Sequence, residues 1–454
     1  MLTFQDLQKV SDRDQDRINF VRRVINEHKS SNAYSEALVA KDYCSHRNRT
    51  IVQYQKLLHT MSGATVPDNY SANYKIASGF FERFVTQENQ FLLGNGVSWT
   101  DSSTKDKLGT KRYPFDTQLQ TLGKEALVCG VSFGFWNLDH VETFSLIEFA
   151  PLYDEENGAL SAGVRFWQVA ENKPLRATLY EPDGYTEYIW DNNSKEAEGK
   201  ILRDKTTYKV TVATSEADGT QIYNGENYPT FPIVPLWGNP YKQSELVGFR
   251  EQIDAYDLIK SGFADDVDDA SQIYWIMQNA GGMDEVDLAK FLNQIKRVKA
   301  AVVEDNGAHA EPHTMDVPYE SRETLLSRLE RDMYKDFMAF NPEIISSGAI
   351  TATQIKAAYE PINNKADQYE YCVLRFIQGI LELAGVDDQP TFTRSMIVNA
   401  TEEIEMVLQA AQVLDADYVT KKILTLLGDA EKADEMLESM SADERERFPG
   451  ENEV

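Results

Sequence analysis

Three clusters in this sequence hold residue types that could do chemistry. Gly130-Val131-Ser132-Phe133-Gly134 has the G-x-S-x-G spacing of a serine nucleophile set on a strand-to-helix turn. That chemistry needs a helix directly after the serine. Here Phe135-Trp136-Asn137-Leu138 reads as more strand, and His140 follows too soon to be the usual late base. Glycines at 130 and 134 more simply let a strand bend or pack closely, so a hydrolase built on Ser132 is the minor alternative. His309-Ala-Glu-Pro-His313 has i,i+4 spacing, but Pro312 opposes a helix there, and the segment reads as a polar loop rather than a metal site.

The sharpest feature is Asp265-Asp266-Val267-Asp268-Asp269. It is a solvated helix face, or a divalent-cation site, or an acidic wall turned toward a polyanion in a ring of subunits. The cation reading is weak, because consecutive aspartates on a helix splay over too wide an arc to share one ion. The sequence contains no phosphate-binding G-x-x-x-x-G-K-[ST], no H-E-x-x-H and no paired C-x-x-C. The expectation is a protein without catalysis, cofactor or metal.

These clusters depend on elements that periodicity makes visible. Residues 5–60 read as helical, with Phe20, Val24, Ile51, Tyr54 and Leu58 at three- and four-residue spacings. Between Phe20 and Thr60, Arg22, Arg23, Lys29, Lys41, Arg47, Arg49 and Lys56 outnumber Glu27, Glu36 and Asp42, as a solvated face by default or as a contact for an acidic partner. A helix over 71–93 should stop at Gly94-Asn95-Gly96, and another should cover 115–128. From Gly130 to Trp237, short β-prone runs and the turn pairs Asp183-Gly184 and Asp218-Gly219 predict a small antiparallel β region. Between Ser244 and Asn279 there is no proline, and the apolar stripe predicts one rod of roughly 50 Å. A small α/β insert follows, with a helix over 285–295 and a strand over 298–303. Helices over 321–340, 351–384 (with Pro361 inside, predicting a kink) and 401–427 come next, and then an acidic tail poor in apolar residues.

The chain has 454 residues, long for one core, with 45 Lys+Arg against 73 Asp+Glu and a formal net charge of -28. Such a surface repels duplex DNA on average and argues against a groove-reading or wrapping DNA binder. No run approaches the roughly 18–20 apolar residues of a membrane helix. The first residues lack a basic segment followed by an apolar core, and Cys44, Cys129 and Cys372 lie far apart. Both features lead to the expectation of a chain made in a reducing cytoplasm.

The order of β region, proline-punctuated segment, long helix, small α/β insert, returning helix, small-residue loop and proline-containing helix resembles the bacteriophage portal proteins of siphophages. The resemblance rests on Phe231-Pro232-Ile233-Val234-Pro235-Leu236-Trp237-Gly238-Asn239-Pro240 followed by Ser244-Glu245-Leu246. It continues through Ile253-Asp254-Ala255-Tyr256-Asp257-Leu258-Ile259-Lys260-Ser261 and Phe263-Ala264-Asp265-Asp266, an Ile-Asp-x-Tyr-(Asp/Asn) step with a downstream Ser and Asp. Asn73-Tyr74-Lys75-Ile76 and Leu93-Gly94-Asn95-Gly96 resemble the family's wing helix and its glycine turn.

The resemblance implies an α+β portal fold in a ring, usually of twelve subunits, at one capsid vertex. It would comprise a wing (1–243), first stem helix (244–280), clip (281–320), second stem helix (321–340), tunnel loop (341–350), kinked wing helix (351–385), crown (386–428) and flexible tail (429–454). It implies passage of double-stranded DNA without sequence specificity. The implied partners are the terminase large subunit, the major capsid and scaffold proteins and a head–tail adaptor. No membrane is involved, and the protein resides in the virion after assembly in the host cytoplasm. The DNA-facing residues it implies are Ser346, Ser347, Gly348, Ala349, Thr351 and Lys356 around the tunnel loop, with Asp265, Asp266, Asp268 and Asp269 as an acidic stem. The loop is uncharged, which suits a steric collar better than a grip, and Lys356 reads first as a surface lysine and only second as a weak backbone contact. A virion structural protein without a channel is the remaining alternative.

Overall fold

The computed structural model describes residues 2–59, 63–69, 71–191, 198–214, 221–270, 274–278, 309–313, 319–343, 352–395, 400–411 and 413–427. In chain order the first part forms α1 (Phe4–Gln8), α2 (Asp14–Lys29), α3 (Asn32–Cys44), α4 (Arg49–Gln53), β1 (Leu57–His59), β2 (Thr65–Pro67), α5 (Phe80–Leu93), β3 (Val97–Trp99), α6 (Thr104–Leu108) and α7 (Phe115–Cys129). The β-rich part follows as β4 (Val131–Asn137), β5 (His140–Ser145), β6 (Phe149–Tyr153), β7 (Leu160–Trp167), β8 (Leu175–Glu181), β9 (Gly184–Trp190), β10 (Gly199–Thr206), β11 (Lys209–Thr214), β12 (Gln221–Glu226) and β13 (Ile233–Trp237). The rest forms α8 (Arg250–Ala270), β14 (Tyr274–Gln278), β15 (His309–His313), α9 (Tyr319–Asp336), α10 (Ala352–Ala384), β16 (Pro390–Phe392), α11 (Ala400–Ala410) and α12 (Ala416–Leu427). The chain divides into unit 1 (1–37, 84–245, 337–454) and unit 2 (38–83, 246–336).

Unit 1 is built on two antiparallel sheets, ordered β10-β9-β8-β7-β6 and β13-β4-β5. Strict alternation along β9 buries Thr186, Tyr188 and Trp190 while Tyr185, Glu187 and Ile189 stay half-buried, as expected of a strand with unequal faces. Helix α2 lays Ile18, Val21, Val24 and Ile25 on the face that presents Val164, Leu179, Tyr188 and Trp190. The opposite face offers Phe149 and Tyr180 to Phe133 and Phe135 of β4, at ring separations of 4.6 and 5.2 Å. The other side of β4 receives the helices. There Ser132 reaches Leu122 of α7, and Gly134 lies under Phe376 of α10. The layers are therefore helix, sheet, sheet, helix. Strand β13 is the edge of its sheet, and Trp136 N–H donates to Pro232 O at 2.9 Å. By alternation Pro235 then turns its missing donor to the unpaired side, where it takes no bond from the ladder.

In unit 2, α8 and α9 run antiparallel. Gln252 bonds Asp336 near one end at 2.7 Å, and Phe263 meets Tyr319 near the other, with ring centroids 6.3 Å apart.

The expected β region, the stop at Gly94-Asn95-Gly96 and the helix from 115 are present. Several boundaries differ. The first long rod is shorter than its apolar stripe suggests. Gly248 has φ +79°, a left-handed backbone that a helix does not pass through, so α8 starts at Arg250. After Ala270, Tyr274–Gln278 forms β14 and pairs antiparallel with His309–His313. Tyr, Trp and Ile favour a strand where a partner exists, and the segment expected to be a polar loop supplies that partner. The expected 321–340 helix ends at Asp336, with Met338 left-handed at φ 59°. Residues 401–427 form two helices, with Asp415 accepting from Tyr418 N–H at the start of α12. Helix α10 continues through Pro361. The insert's expected helix over 285–295 and strand over 298–303, and the tail from 428, lie outside the described residues.

A Cβ on Gly134 would stand 2.6 Å from the Phe376 ring. Gly134→Val should therefore destabilise unit 1 by roughly 1–3 kcal/mol. Adding Phe376→Leu should recover part of that loss, read as a non-additive shift in denaturant midpoint.

Candidate functional site

Three acids and a serine on one face of α8 form a largely enclosed seam. Asp254, Asp257, Ser261 and Asp265 recur at three- and four-residue spacing and so share one face. Asp254 accepts from Tyr43 Oη at 2.5 Å and Thr50 Oγ1 at 2.7 Å. The carboxylate of Asp257 takes Asn48 Nδ2 at 2.5 Å and the Ser78 amide at 2.9 Å. Ser261 Oγ takes the Ile76 amide at 3.0 Å, and Asp265 takes the Tyr74 amide at 2.7 Å and Lys56 Nζ at 2.9 Å. Residues 74, 76 and 78 are thus held by 265, 261 and 257. Four helical residues rise about 6 Å, and two extended residues rise about 6.6 Å. The side chains of α8 act as a ladder for a segment that has no strand partner. This is why 71–79 is not the first half of the helix ending at Leu93: alternate amides leave sideways to α8. Burial pushes the Asp257 carboxyl above its ordinary range, opposed by the hydrogen bonds from Asn48 and Ser78.

Of the four aspartates expected to present charge along a bore, Asp265 is 2% exposed and enclosed by this seam, and Asp266 pairs with Arg322 of α9. Asp268 is exposed, and Asp269 lies on the same helix. Lys356 is exposed on α10, while Ser346, Ser347, Gly348, Ala349 and Thr351 lie outside the described residues. Several cations of the basic stretch meet partners within their own unit: Arg49 with Asp42 at 2.6 Å, Lys56 with Asp265, and Arg22 over the Trp190 ring at 5.6 Å. Ser132 is fully buried in mid-sheet and donates to Leu122 O at 2.7 Å. Gly130, at φ 87°, ends α7 before β4 begins. The order is helix, turn, strand, the reverse of what a serine nucleophile requires. Among the described residues no group of three His, Cys, Asp or Glu could hold a metal ion, and no helix is long and apolar enough to cross a membrane.

The model of the family described as phage portal protein, SPP1 Gp6-like, matches residues 23–449. The chain belongs to that family. The portal protein of Clostridium phage phiCD119 is 24% identical over 385 residues, covering 77% of this chain and 81% of that one. The portal protein of Bacillus phage SPP1 is 23% identical over 387 residues, covering 79% and 74%. Among solved structures, the neck of a native gene transfer agent particle computed with C12 symmetry aligns with TM-score 0.43 and 10% identity, over 78% of this chain and 90% of that chain. This chain is accordingly a portal protein, and the serine-hydrolase alternative is not favoured.

For a portal chain, the Ile253–Ser261 step with its downstream Asp265 has a direct structural meaning: its polar members are the seam that holds residues 43–78 to α8. A second buried cluster escaped sequence reasoning, because its members are far apart. Lys365 Nζ of α10 lies 2.9 Å from Glu88 and 2.7 Å from Glu245. One cation between two carboxylates leaves an excess negative charge. Burial first, and then Glu245, raise the Glu88 carboxyl well above its ordinary range, against the pull of Lys365.

Removing the Asp257 carboxylate leaves two buried donors. Asp257→Ala should cost roughly 2–3 kcal/mol, and Asp257→Asn, which keeps one acceptor, should cost less, both read by equilibrium unfolding. Glu88 carries the second expectation. An acid whose folded pKa is raised gives full stability below its unfolded value and loses it as pH rises. Glu88→Gln should therefore gain stability relative to wild type as pH climbs from about 4.5, read as a growing difference in Tm.

Proposed function

We propose that copies of this chain close into a ring, twelve on the family pattern, whose bore passes double-stranded DNA at one capsid vertex during packaging and ejection. The family match over residues 23–449 carries this reading. The net charge of -28 supports it. A basic wall would bind phosphates through released counterions and hold the duplex at every step, whereas a wall rich in carboxylates leaves it centred and mobile.

Within the acidic run we assign the bore to Asp268, which is exposed, with Asp269 beside it in sequence. Asp265 and Asp266 hold α8 in place through Lys56 and Arg322. The small, uncharged loop through Ser346, Ser347, Gly348, Ala349 and Thr351 acts as a steric collar, and Lys356 as a weak backbone contact. The ring docks the terminase large subunit while DNA enters and a head–tail adaptor afterwards. It contacts the major capsid and scaffold proteins during assembly in the host cytoplasm.

Negative-stain images of the purified chain should show rings with a central hole. Monomers or filaments at the same protein concentration would overturn the proposal.

A further inference from the structure

The chain crosses between its two units after residues 37, 83, 245 and 336. Inside unit 1, three of these four crossings meet at one side chain. Phe84 is the first residue back in unit 1 after the second crossing, and Glu88 follows one helical turn later on α5. Glu245 is the last residue before the third crossing, and Phe337 is the first after the fourth. Lys365, from the middle of α10, reaches all of them. Its Nζ is 2.9 Å from Glu88, 2.7 Å from Glu245 and 3.2 Å from the centre of the Phe337 ring, which stacks on Phe84 at 4.9 Å. The side chains of Lys365, Glu88 and Glu245 are 15%, 2% and 12% exposed. A compact ammonium has three donors and can serve two carboxylates while resting on a ring face. Taking it away leaves two enclosed acids facing each other with no cation between them, a far larger effect than losing a surface pair.

We propose that Lys365 is a clasp, a positioning residue that gathers three of the four connections to unit 2 onto α10 and keeps them ordered together. A lysine that merely added stability to unit 1 would have no reason to couple these three segments, which lie far apart in sequence. The clasp makes them one cooperative element, so that a load on any connection is felt by α10.

Hydrogen exchange of the full chain separates the two roles. Lys365→Met should speed exchange at least tenfold in peptides spanning 83–88, 243–249 and 336–340, with β7–β9 unchanged. The control is Arg17→Met, which breaks the largely enclosed Arg17–Glu181 pair (3.2 Å) of the same unit away from the connections; it should leave those peptides unchanged. A uniform rise across unit 1, a rise confined to α5, or the same pattern in the Arg17 variant would overturn the clasp. Should Lys365→Met not fold, Lys365→Arg keeps the charge without the compact head. A rise at the same three segments is then expected, and no rise at them counts against the proposal.

Discussion

A carboxylate taken out of water must be met by donors, and in unit 2 that requirement decides the course of the chain. Asp254, Asp257 and Asp265 sit on the inner face of α8 with Ser261 between them, and each is answered by a hydroxyl, an amide or an ammonium from residues 43–78. The match between the rise of four helical residues and that of two extended ones lets a non-helical segment lie along a helix with alternate amides bonded, as they would be in a sheet. An apolar helix face could have covered the same surface without selecting a register, since hydrophobic contact is non-directional. The polar seam selects one.

Much of this architecture was legible in the sequence. Alternation and the Asp183-Gly184 turn announced the antiparallel region, and Gly94-Asn95-Gly96 announced the end of α5, because these signals are local. Two of the misread segments were decided by distant partners. Residues 71–79 have helix-compatible composition, yet their amides belong to α8. Tyr274–Gln278 continues an apolar stripe, yet pairs with residues 309–313. Asp265 to Asp269 read as one charged run, although a helix sends successive residues in different directions: Asp265 is enclosed while Asp268 is exposed. A stripe at 254, 257, 261 and 265 was available as a signal, since polar residues at core spacing on a helix ask for buried partners. Glu88, Glu245 and Lys365 offered no such pattern, being separated by more than a hundred residues at each step.

The two polar constellations solve different problems. The seam of α8 has enough donors to satisfy its acids, and so it fixes a register. The Lys365 cluster is buried and has two acids for one cation, and burial first, then the second acid, lifts the Glu88 carboxyl far above its usual range. A fully balanced pair would be indifferent to small displacements of the surrounding pH, whereas an unbalanced one is not. That imbalance sits where the chain leaves and re-enters unit 1.

Among the residues through which this chain resembles portal proteins, Asp254, Asp257, Ser261 and Asp265 hold α8 to residues 43–78 rather than face solvent. A conduit for a polyanion needs little from its wall beyond an absence of sticking points, and many sequences meet so loose a demand. Holding a long helix to a non-helical segment is far stricter, because every buried carboxylate needs its donor at the right height. The sequence features that make a portal chain recognisable should therefore lie where side chains are locked against one another. On the proposed reading, the DNA-facing surface draws on acidic residues at the exposed positions of the same helix, such as Asp268 beside the enclosed Asp265.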